Sequence, residues 1–335
     1  MQPPLISILM PFKNTASYLT DCINSILLQT YKNWELIAVD DHSTDNSFQI
    51  IQEYAKNDQR IQVHQNNGEG IIAALRLAFS ESKGVFISRM DSDDIMHPEK
   101  LEILQKNLSI KGKGHLAVGL VQYFSELGVS DGYQKYEQWL NKLTLKGNNY
   151  SELYKECVIP SPCWMIYRED LIRCNAFKPD RYPEDYDLTF RFYKKGLQCI
   201  PCDQLLHYWR DYPERTSRTH IHYAQNYFLD IKLYYFLELH YHKNRPLVIW
   251  GAGYKGKTIA RKLVNHKIRF HWICDNPKKI GKKIYGQQMH DFSYLLSLKN
   301  PQSIITVANA KAQGEIRSFM RAHDFKSMID YFFFC

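Results

Sequence analysis

Three carboxylates, Asp91, Asp93 and Asp94, follow directly on an apolar run, Gly84-Val85-Phe86-Ile87-Ser88. Carboxylates this close repel one another and hold their protons more tightly unless a cation or hydrogen-bond donors compensate. A hard divalent metal with oxygen ligands is an economical compensator, and it usually arrives on a substrate's phosphates. A solvated acidic turn that caps the helix led by Pro98 is the alternative use, and Asp94 suits either. Two further acidic pairs share this pattern. Asp40 and Asp41 close the apolar run Trp34–Val39, and Glu184 and Asp185 open a segment of helical spacing after Pro183. At a helix start the backbone dipole stabilises an ionised carboxylate.

These groups need a frame that gathers them. The first half of the chain alternates strand and helix patterns. Leu5–Met10 reads as a strand broken by Pro11, and Tyr18, Leu19, Cys22, Ile23, Ile26 and Leu27 recur at helical spacing. Trp34–Val39 is the next strand, followed by a helix carrying Phe48, Ile51 and Tyr54. Arg60–His64 is a third strand, Asn66-Asn67-Gly68-Glu69-Gly70 a loop, and Ile71–Ser80 a helix. Such alternation predicts an α/β fold, a mostly parallel sheet with helices on both faces. In open sheets of that kind ligands bind outside the carboxyl ends of the strands, where Asp40, Asp41, Asp91 and Asp93 fall. One acidic group can hold a metal–diphosphate, another read a nucleobase and a third take a proton. That division of labour is what a nucleotide-sugar transferase needs.

Residues 105–160 are interrupted by Gly112, Gly114, Gly128, Gly132 and Gly147, and only a helix over Tyr133–Leu145 is legible there. Trp164–Tyr167 reads as a strand, and a helix runs from Pro183 towards Gly196. Tyr223–Tyr241 reads as one aromatic helix. After Pro246 a new strand–loop–helix begins: Leu247–Trp250, then Gly251-x-Gly253-x-x-Gly256, then Ile259–Val264. Asp275 ends the following strand about 20 residues on, the context of a dinucleotide fingerprint. Lys255 and Lys257 leave a phosphate-binding role open. Only about 90 residues remain, too few for a separate dehydrogenase substrate domain. A structural or regulatory unit with tightly packed glycines is the competing reading, and an NAD-binding oxidoreductase module is a third. The domains expected are 1–218, a linking helix at 219–244, and a small Rossmann-like domain at 245–335.

Composition narrows the classes. At 335 residues with 44% hydrophobic and 23% charged content, the chain is an ordinary globular protein. No apolar stretch approaches the roughly 20 residues of a membrane span, and the N-terminus does not read as a secretion signal. Eight cysteines lie scattered, and Cys199-Ile200-Pro201-Cys202 is a lone CxxC without a partner pair. The expected location is cytoplasmic. The net charge of +8 permits a peripheral contact at the inner face of the membrane. The basic residues are dispersed and no nucleic-acid motif accompanies them, so nucleic acid is not an expected partner.

Several spaced runs resemble family 2 glycosyltransferases of bacterial type. They are Ser7–Asn14, Ser25–Tyr31, Trp34–Asp41, Gly70–Arg76, Gly84–Pro98 and Tyr182–Leu188, so the likeness covers about residues 5–220. It implies a GT-A nucleotide-diphospho-sugar transferase domain and an inverting transfer that depends on Mg2+ or Mn2+. The donor would be a UDP-sugar, the acceptor a hydroxyl of a surface glycan or a lipid-linked molecule, and the setting polysaccharide biosynthesis. By the same resemblance, Asp41 reads the uracil edge, Pro11 and Phe12 line the base and ribose pocket, and Asp91 faces the ribose. Asn67 and Ser92 complete the donor side. Asp93 binds the metal, with Asp91 beside it, and Asp185 is the general base.

Three departures from the family pattern stand out. His42 replaces a small residue after the paired aspartates. Tyr212 stands where many relatives carry a late histidine near the metal, which makes His207, Arg210 and Asp211 candidates to substitute. Asp94 lengthens the acidic run. Glu184 is open between a site role and helix capping, and Arg89 between orienting a carboxylate or contacting the donor sugar and a structural ion pair. His42 and Tyr212 together motivate an alternative, a nucleotide-sugar-binding or scaffold protein with a degenerate site.

Overall fold

The structure is a computed structural model that describes residues 3–215, 218 and 228–335. Contacts divide the chain into two compact units, Met1–Tyr150 with Cys157–Thr216, and Ser151–Glu156 with Ser217–Cys335.

The first unit opens as strand–helix alternation. Its elements are β1 (Ile6–Phe12), α1 (Ala16–Leu27), β2 (Trp34–Asp40), α2 (Ser47–Asn57), β3 (Ile61–Gln65), α3 (Gly70–Glu81) and β4 (Phe86–Arg89). There follow β5 (Ile95–Met96), α4 (Lys100–Lys111), β6 (His115–Phe124), α5 (Asp131–Lys146), β7 (Trp164–Tyr167), α6 (Arg168–Arg173), α7 (Glu184–Lys194) and β8 (Gln198–Arg210). They form an eight-stranded sheet in the order β3-β2-β1-β4-β7-β6-β8-β5. The β3-β2-β1-β4 half is parallel, and β7 and β5 run antiparallel to their neighbours. β1 and β2 are buried along their whole length, as expected of central parallel strands covered on both faces.

Pro11 does not end β1, contrary to the reading of it as a breaker. β4 pairs only with Ile6–Leu9, whereas β2 accompanies β1 out to Phe12. The residue without an N–H therefore falls where one side of the ladder has already ended, the position sheets tolerate for proline.

β6 and β8 carry no clear strand signal in the sequence. Gly119 lies inside β6, where a Cβ would sit 2.7 Å from Leu206 of β8. The glycine permits close strand approach at a register shift. The Cys199–Cys202 pair lies on β8, both thiols are free, and burial raises both of their pKa values to about 12.

In the second unit the described part of the aromatic stretch is α8 (Leu229–Leu239); the expectation of helix over 219–227 lies outside the described residues. Next come β9 (Leu247–Trp250), α9 (Tyr254–Asn265), β10 (His271–Ile273), β11 (Lys283–Ile284), β12 (Gln287–His290), β13 (Gln302–Ile305), α10 (Ala310–Ala322) and β14 (Tyr331–Phe333). The sheet order is β11-β12-β10-β9-β13-β14, parallel except for β11. Its first strand is central and the order reverses between β9 and β13, as in a doubly wound sheet. Tyr154, from the short segment Ser151–Glu156, is fully buried here, stacked on Phe334 and edge-on to Phe236 and Phe332.

Candidate active site

The carboxyl ends of β1, β2 and β3 frame a cleft of about 570 Å³ lined by Lys13, Asp41, His42, Glu69 and Gly70. Asp41 sits just past β2 and is almost buried. Its Oδ1 accepts from Asn66 Nδ2 at 2.7 Å and from the Gly70 amide at 2.8 Å, and Lys13 Nζ lies 3.6 Å from Oδ2. Two donors thus fix one oxygen. Asp40 faces another duty, both oxygens accepting from the Ser43 amide at 3.1 and 3.3 Å, so it closes the turn after β2. His42 adopts φ +60°, a left-handed conformation that His tolerates better than most residues. Its Nε2 lies 2.8 Å from the Gly68 carbonyl. Pro11 and Phe12 end β1 beside this cleft's strands, the Phe12 carbonyl accepting from the Asp41 amide at 2.8 Å.

The acidic run leaves β4 and is sorted by its surroundings. Asp94 is fully buried. Its Oδ2 meets His207 Nε2 at 2.9 Å and its Oδ1 accepts from the Arg210 amide at 2.8 Å. His207 Nδ1 lies 3.2 Å from Lys100 Nζ. An ammonium can only donate, so Nδ1 accepts and the ring proton sits on Nε2. Burial and the Lys100 charge keep this histidine neutral. Asp94 and His207 therefore spend their ligating atoms on a buried chain, Lys100–His207–Asp94.

Asp93 lies on the other side of this turn. Its Oδ2 accepts from the Tyr212 hydroxyl at 2.9 Å, and its backbone carbonyl accepts from Arg210 Nε at 2.9 Å. Arg210 also reaches Asp21 at 3.0 Å and lies over Tyr18 and Phe124. Burial, with the neighbouring Asp94 charge, pushes Asp93 up to about 7, although Arg215 pulls it down. Asp211 is buried next along the chain, its amide bonded to the Phe124 carbonyl at 2.8 Å. Ser92 is buried with its hydroxyl 3.0 Å from that of Thr15.

Arg89, the last residue of β4, joins the acidic run to α7. Its Nη2 lies 3.2 Å from Asp91 Oδ1 and its Nη1 donates to Glu184 Oε1 at 2.9 Å. Burial opposes the Arg89 charge, but Asp91, Glu184 and Asp185 outweigh it and hold the guanidinium more firmly protonated. Asp185 is the first-turn neighbour of Glu184, and its Oδ1 accepts from the Tyr186 amide at 2.7 Å. Burial and the Glu184 charge push Asp185 up to about 7. Asp187 points elsewhere, paired with Arg181 at 2.9 Å and Arg191 at 2.7 Å.

Asp91 and Glu184 are thus joined through Arg89, which also feels the Asp185 charge, and Asp93 and Tyr212 form a separate pair. Asn67 is exposed; its neighbour Asn66 makes the contact with Asp41. Asn66 and Lys13 both follow strand ends on the same sheet edge, and that position was their sequence signal.

The donor set suits a divalent ion in one way. With Asp94 and His207 spent, the candidates are Asp91, whose Oδ1 meets Arg89, and Asp93, whose Oδ2 meets Tyr212, each through its other oxygen. Among the described residues no three His, Cys, Asp or Glu side chains converge as a ready-made metal cage. One or two carboxylates fit an ion that takes its other ligands from substrate phosphates.

A half-parallel sheet with a cleft and an acidic run at its carboxyl edge is the arrangement of a GT-A fold. Residues 7–174 match the family described as Glycosyl transferase family 2, half of the chain, and the chain belongs to that family. It is 43% identical over 108 residues to glycosyltransferase GlyG of Streptococcus pneumoniae serotype 4, covering 32% of this chain and 36% of that protein. An uncharacterized glycosyltransferase of Haemophilus influenzae is 29% identical over 228 residues, covering 65% and 69%. The putative teichuronic acid biosynthesis glycosyltransferase TuaG of Bacillus subtilis is 38% identical over 100 residues, covering 30% and 40%. The chain thus matches little more than a third of GlyG and TuaG. Among solved structures, S. aureus TarS 1–349 in complex with UDP-GlcNAc superposes with a TM-score of 0.54 at 19% identity, covering 70% of this chain and 66% of that one. No helix of the described residues is long and apolar enough to cross a membrane.

Proposed function

We propose that the chain is an inverting glycosyltransferase that moves a sugar from a UDP-sugar to a hydroxyl of a glycan or lipid-linked acceptor. The observation that carries this reading is that Asp41, Asp91 and Asp93 follow strands on one sheet edge, with Asp185 opening α7 near Arg89, each in separate surroundings. Asp41 keeps an oxygen near Lys13 at the cleft, suited to accept from the imide N–H of uracil. The UDP and UDP-GlcNAc complexes of TarS support that donor class.

Asp93 and Asp91 would hold Mg2+ or Mn2+, and a neighbour of similar fold is a mannosyltransferase in complex with GDP-Man and Mn2+. Such an ion would neutralise charge developing on the leaving diphosphate. The chain's own residues do the rest. Asp185, with a pKa near neutrality, takes the acceptor hydroxyl proton, and Arg89 and Glu184 anchor the turn that carries it. A single base opposite a stabilised leaving group serves one direct displacement, which inverts the anomeric centre.

Asp185→Asn tests the reading. Transfer should fall by about a hundredfold to ten-thousandfold while calorimetric UDP affinity stays unchanged. Full activity in this variant removes Asp185 as the base.

Tyr212 favours a second reading, a nucleotide-sugar binder without turnover. Tight UDP-sugar binding with no hydrolysis or transfer across a donor and acceptor panel would select it. For the second unit a packing role of the glycines is supported by Gly256, where a Cβ would lie 2.1 Å from the Gly251 carbonyl oxygen. Asp275 Oδ2 also accepts from Trp250 Nε1 at 3.2 Å. NAD(H) titrated into the full chain should then give no heat, and saturable binding would restore the nucleotide-binding reading.

A further inference from the structure

The net charge is unevenly divided. Residues 243–335 hold 17 Lys or Arg against five Asp or Glu, a net of +12 in a chain whose total is +8, so residues 1–242 carry −4. Within the second unit part of this charge is gathered on one surface. Tyr254, Lys257, Arg261 and Val264 follow one another at three- and four-residue spacing along α9 and are all exposed. That spacing puts them on one helical face. Arg261 Nη2 donates to the Tyr285 hydroxyl at 3.0 Å and lies 5.5 Å from the centre of its ring. This contact sets the α9 face beside the β11–β12 hairpin, where Lys282 and Lys283 are exposed. Tyr285 itself stacks on Trp272 with ring centres 6.3 Å apart, so the junction is held from beneath.

Among the described residues none of Lys257, Arg261, Lys282 and Lys283 is in an ion pair. The ion pairs of this unit engage Arg245, Lys262 and Arg317 instead. Three of the unit's acids are engaged elsewhere, Asp330 with Arg245, Asp275 with Trp250 and Asp291 with the Ser293 amide, and Asp230 pairs with Lys262 of α9 rather than with a member of this face. The exposed apolar members are Tyr254 at 59%, Val264 at 40% and Tyr285 at 40%. Tyrosines amid flexible cationic side chains are the composition of surfaces that sit at the headgroup level of a bilayer. An apolar protein partner would leave these charges buried and unpaired, at high cost. An anionic headgroup plane meets all of them without fixed registry.

We infer that the α9 face and the β11–β12 hairpin form a docking surface for an anionic lipid bilayer. This goes beyond the transfer reaction, because it concerns the second unit and holds whichever donor or acceptor the first unit takes. The surface supplies cations that stay in water while pairing with headgroups, and tyrosine rings that reach the interface.

Flotation of the full chain with vesicles tests it. The unaltered protein should bind phosphatidylcholine–phosphatidylglycerol vesicles, leave pure phosphatidylcholine vesicles unbound, and be released as salt rises from about 50 to about 500 mM. The variant Lys257→Glu, Arg261→Glu, Lys282→Glu and Lys283→Glu should lose binding by about a hundredfold or more. Lys282→Gln with Lys283→Gln, a milder change on an exposed hairpin, should lose about tenfold. A control reversing Lys106, Lys135, Lys142 and Lys146, exposed in the first unit, makes the same change in net charge and should retain binding within about threefold. Equal loss in the patch and control variants would reduce the effect to net charge and overturn the surface. No preference for anionic vesicles would overturn it as well. Tighter binding to single-stranded nucleic acid that displaces the vesicles would assign the face to nucleic acid instead.

Discussion

The Tyr212 hydroxyl donates to Asp93 Oδ2 at 2.9 Å, which puts a neutral donor against the carboxylate proposed to meet the metal. Burial and the Asp93 charge raise the phenol's pKa further, so it keeps its proton and remains a donor. The ring is held by Tyr18, with centres 4.5 Å apart. In the proposed reading Tyr212 orients Asp93 and leaves ligation to the carboxylate. Hydrogen bonds to charged groups contribute about 1.5–3 kcal/mol. Tyr212→Phe should lower kcat about tenfold or more with UDP affinity in the absence of metal unchanged. Steady-state kinetics beside calorimetry checks this, and wild-type kcat would show that the hydroxyl does not matter to the site.

As the proposed base, Asp185 would set the pH dependence of transfer. Burial and Glu184 push its pKa up to about 7, and a base works only when ionised. The rate of transfer at low donor concentration should thus fall at least tenfold per pH unit below about 7, more steeply where Asp93 takes a proton too, and level off above it. The stability effect has the opposite sense. The unfolded chain ionises Asp185 near the ordinary carboxylate value and the folded chain only near 7, so the folded state binds the extra proton between them. Stability then falls as pH rises through that window. Asp185→Asn should raise the unfolding midpoint at about pH 8 and give no gain near about pH 4. A gain independent of pH would mean that charge burial is not its source.

Within the buried chain Lys100–His207–Asp94, the histidine separates an ammonium from a carboxylate and bonds both. Replacing it leaves two buried ionisable groups short of a partner. His207→Leu should destabilise the protein by about 3 kcal/mol, measured by urea unfolding. Because His207 spends both nitrogens inside the protein, metal affinity in the presence of UDP should change little in any fraction that remains folded. A selective loss of metal affinity with unaltered stability would make His207 a ligand after all.

The strand ends with their acids were legible because each apolar run stops at a carboxylate, and the resemblance rested on those same runs. Partner choice was not. Asp91, Asp93 and Asp94 are near-identical as letters, yet Asp94 is claimed by His207 and Arg210, Asp91 by Arg89, and Asp93 by Tyr212. Those partners stand more than a hundred residues downstream, apart from Arg89, and only the fold brings them back. Asn66 and Asn67 show the same point at short range: one side chain turns inward to Asp41 and the next turns out. β6 and β8 escaped because glycines and prolines punctuate their surroundings, and their pairing carries a register shift that blurs the alternation a strand would show.

The glycines of the second unit can be separated by packing. A Cβ on Gly256 would lie 2.1 Å from the Gly251 carbonyl oxygen and 2.9 Å from Thr306 Oγ1, whereas one on Gly253 would meet nothing within 4 Å. Gly251 has φ +119° and cannot readily move aside, since its carbonyl accepts from Trp272 Nε1 at 2.8 Å. Gly253 has φ −78°, which alanine adopts without strain. Gly256→Ala should therefore destabilise the second unit by about 3 kcal/mol, by forcing α9 away from β9. Gly253→Ala should change stability by less than about 1 kcal/mol, with a gain permitted by the lower entropy of the unfolded chain. Calorimetric unfolding of the full chain distinguishes them, and equal effects at the two positions would show that close packing does not set the need for glycine in this loop.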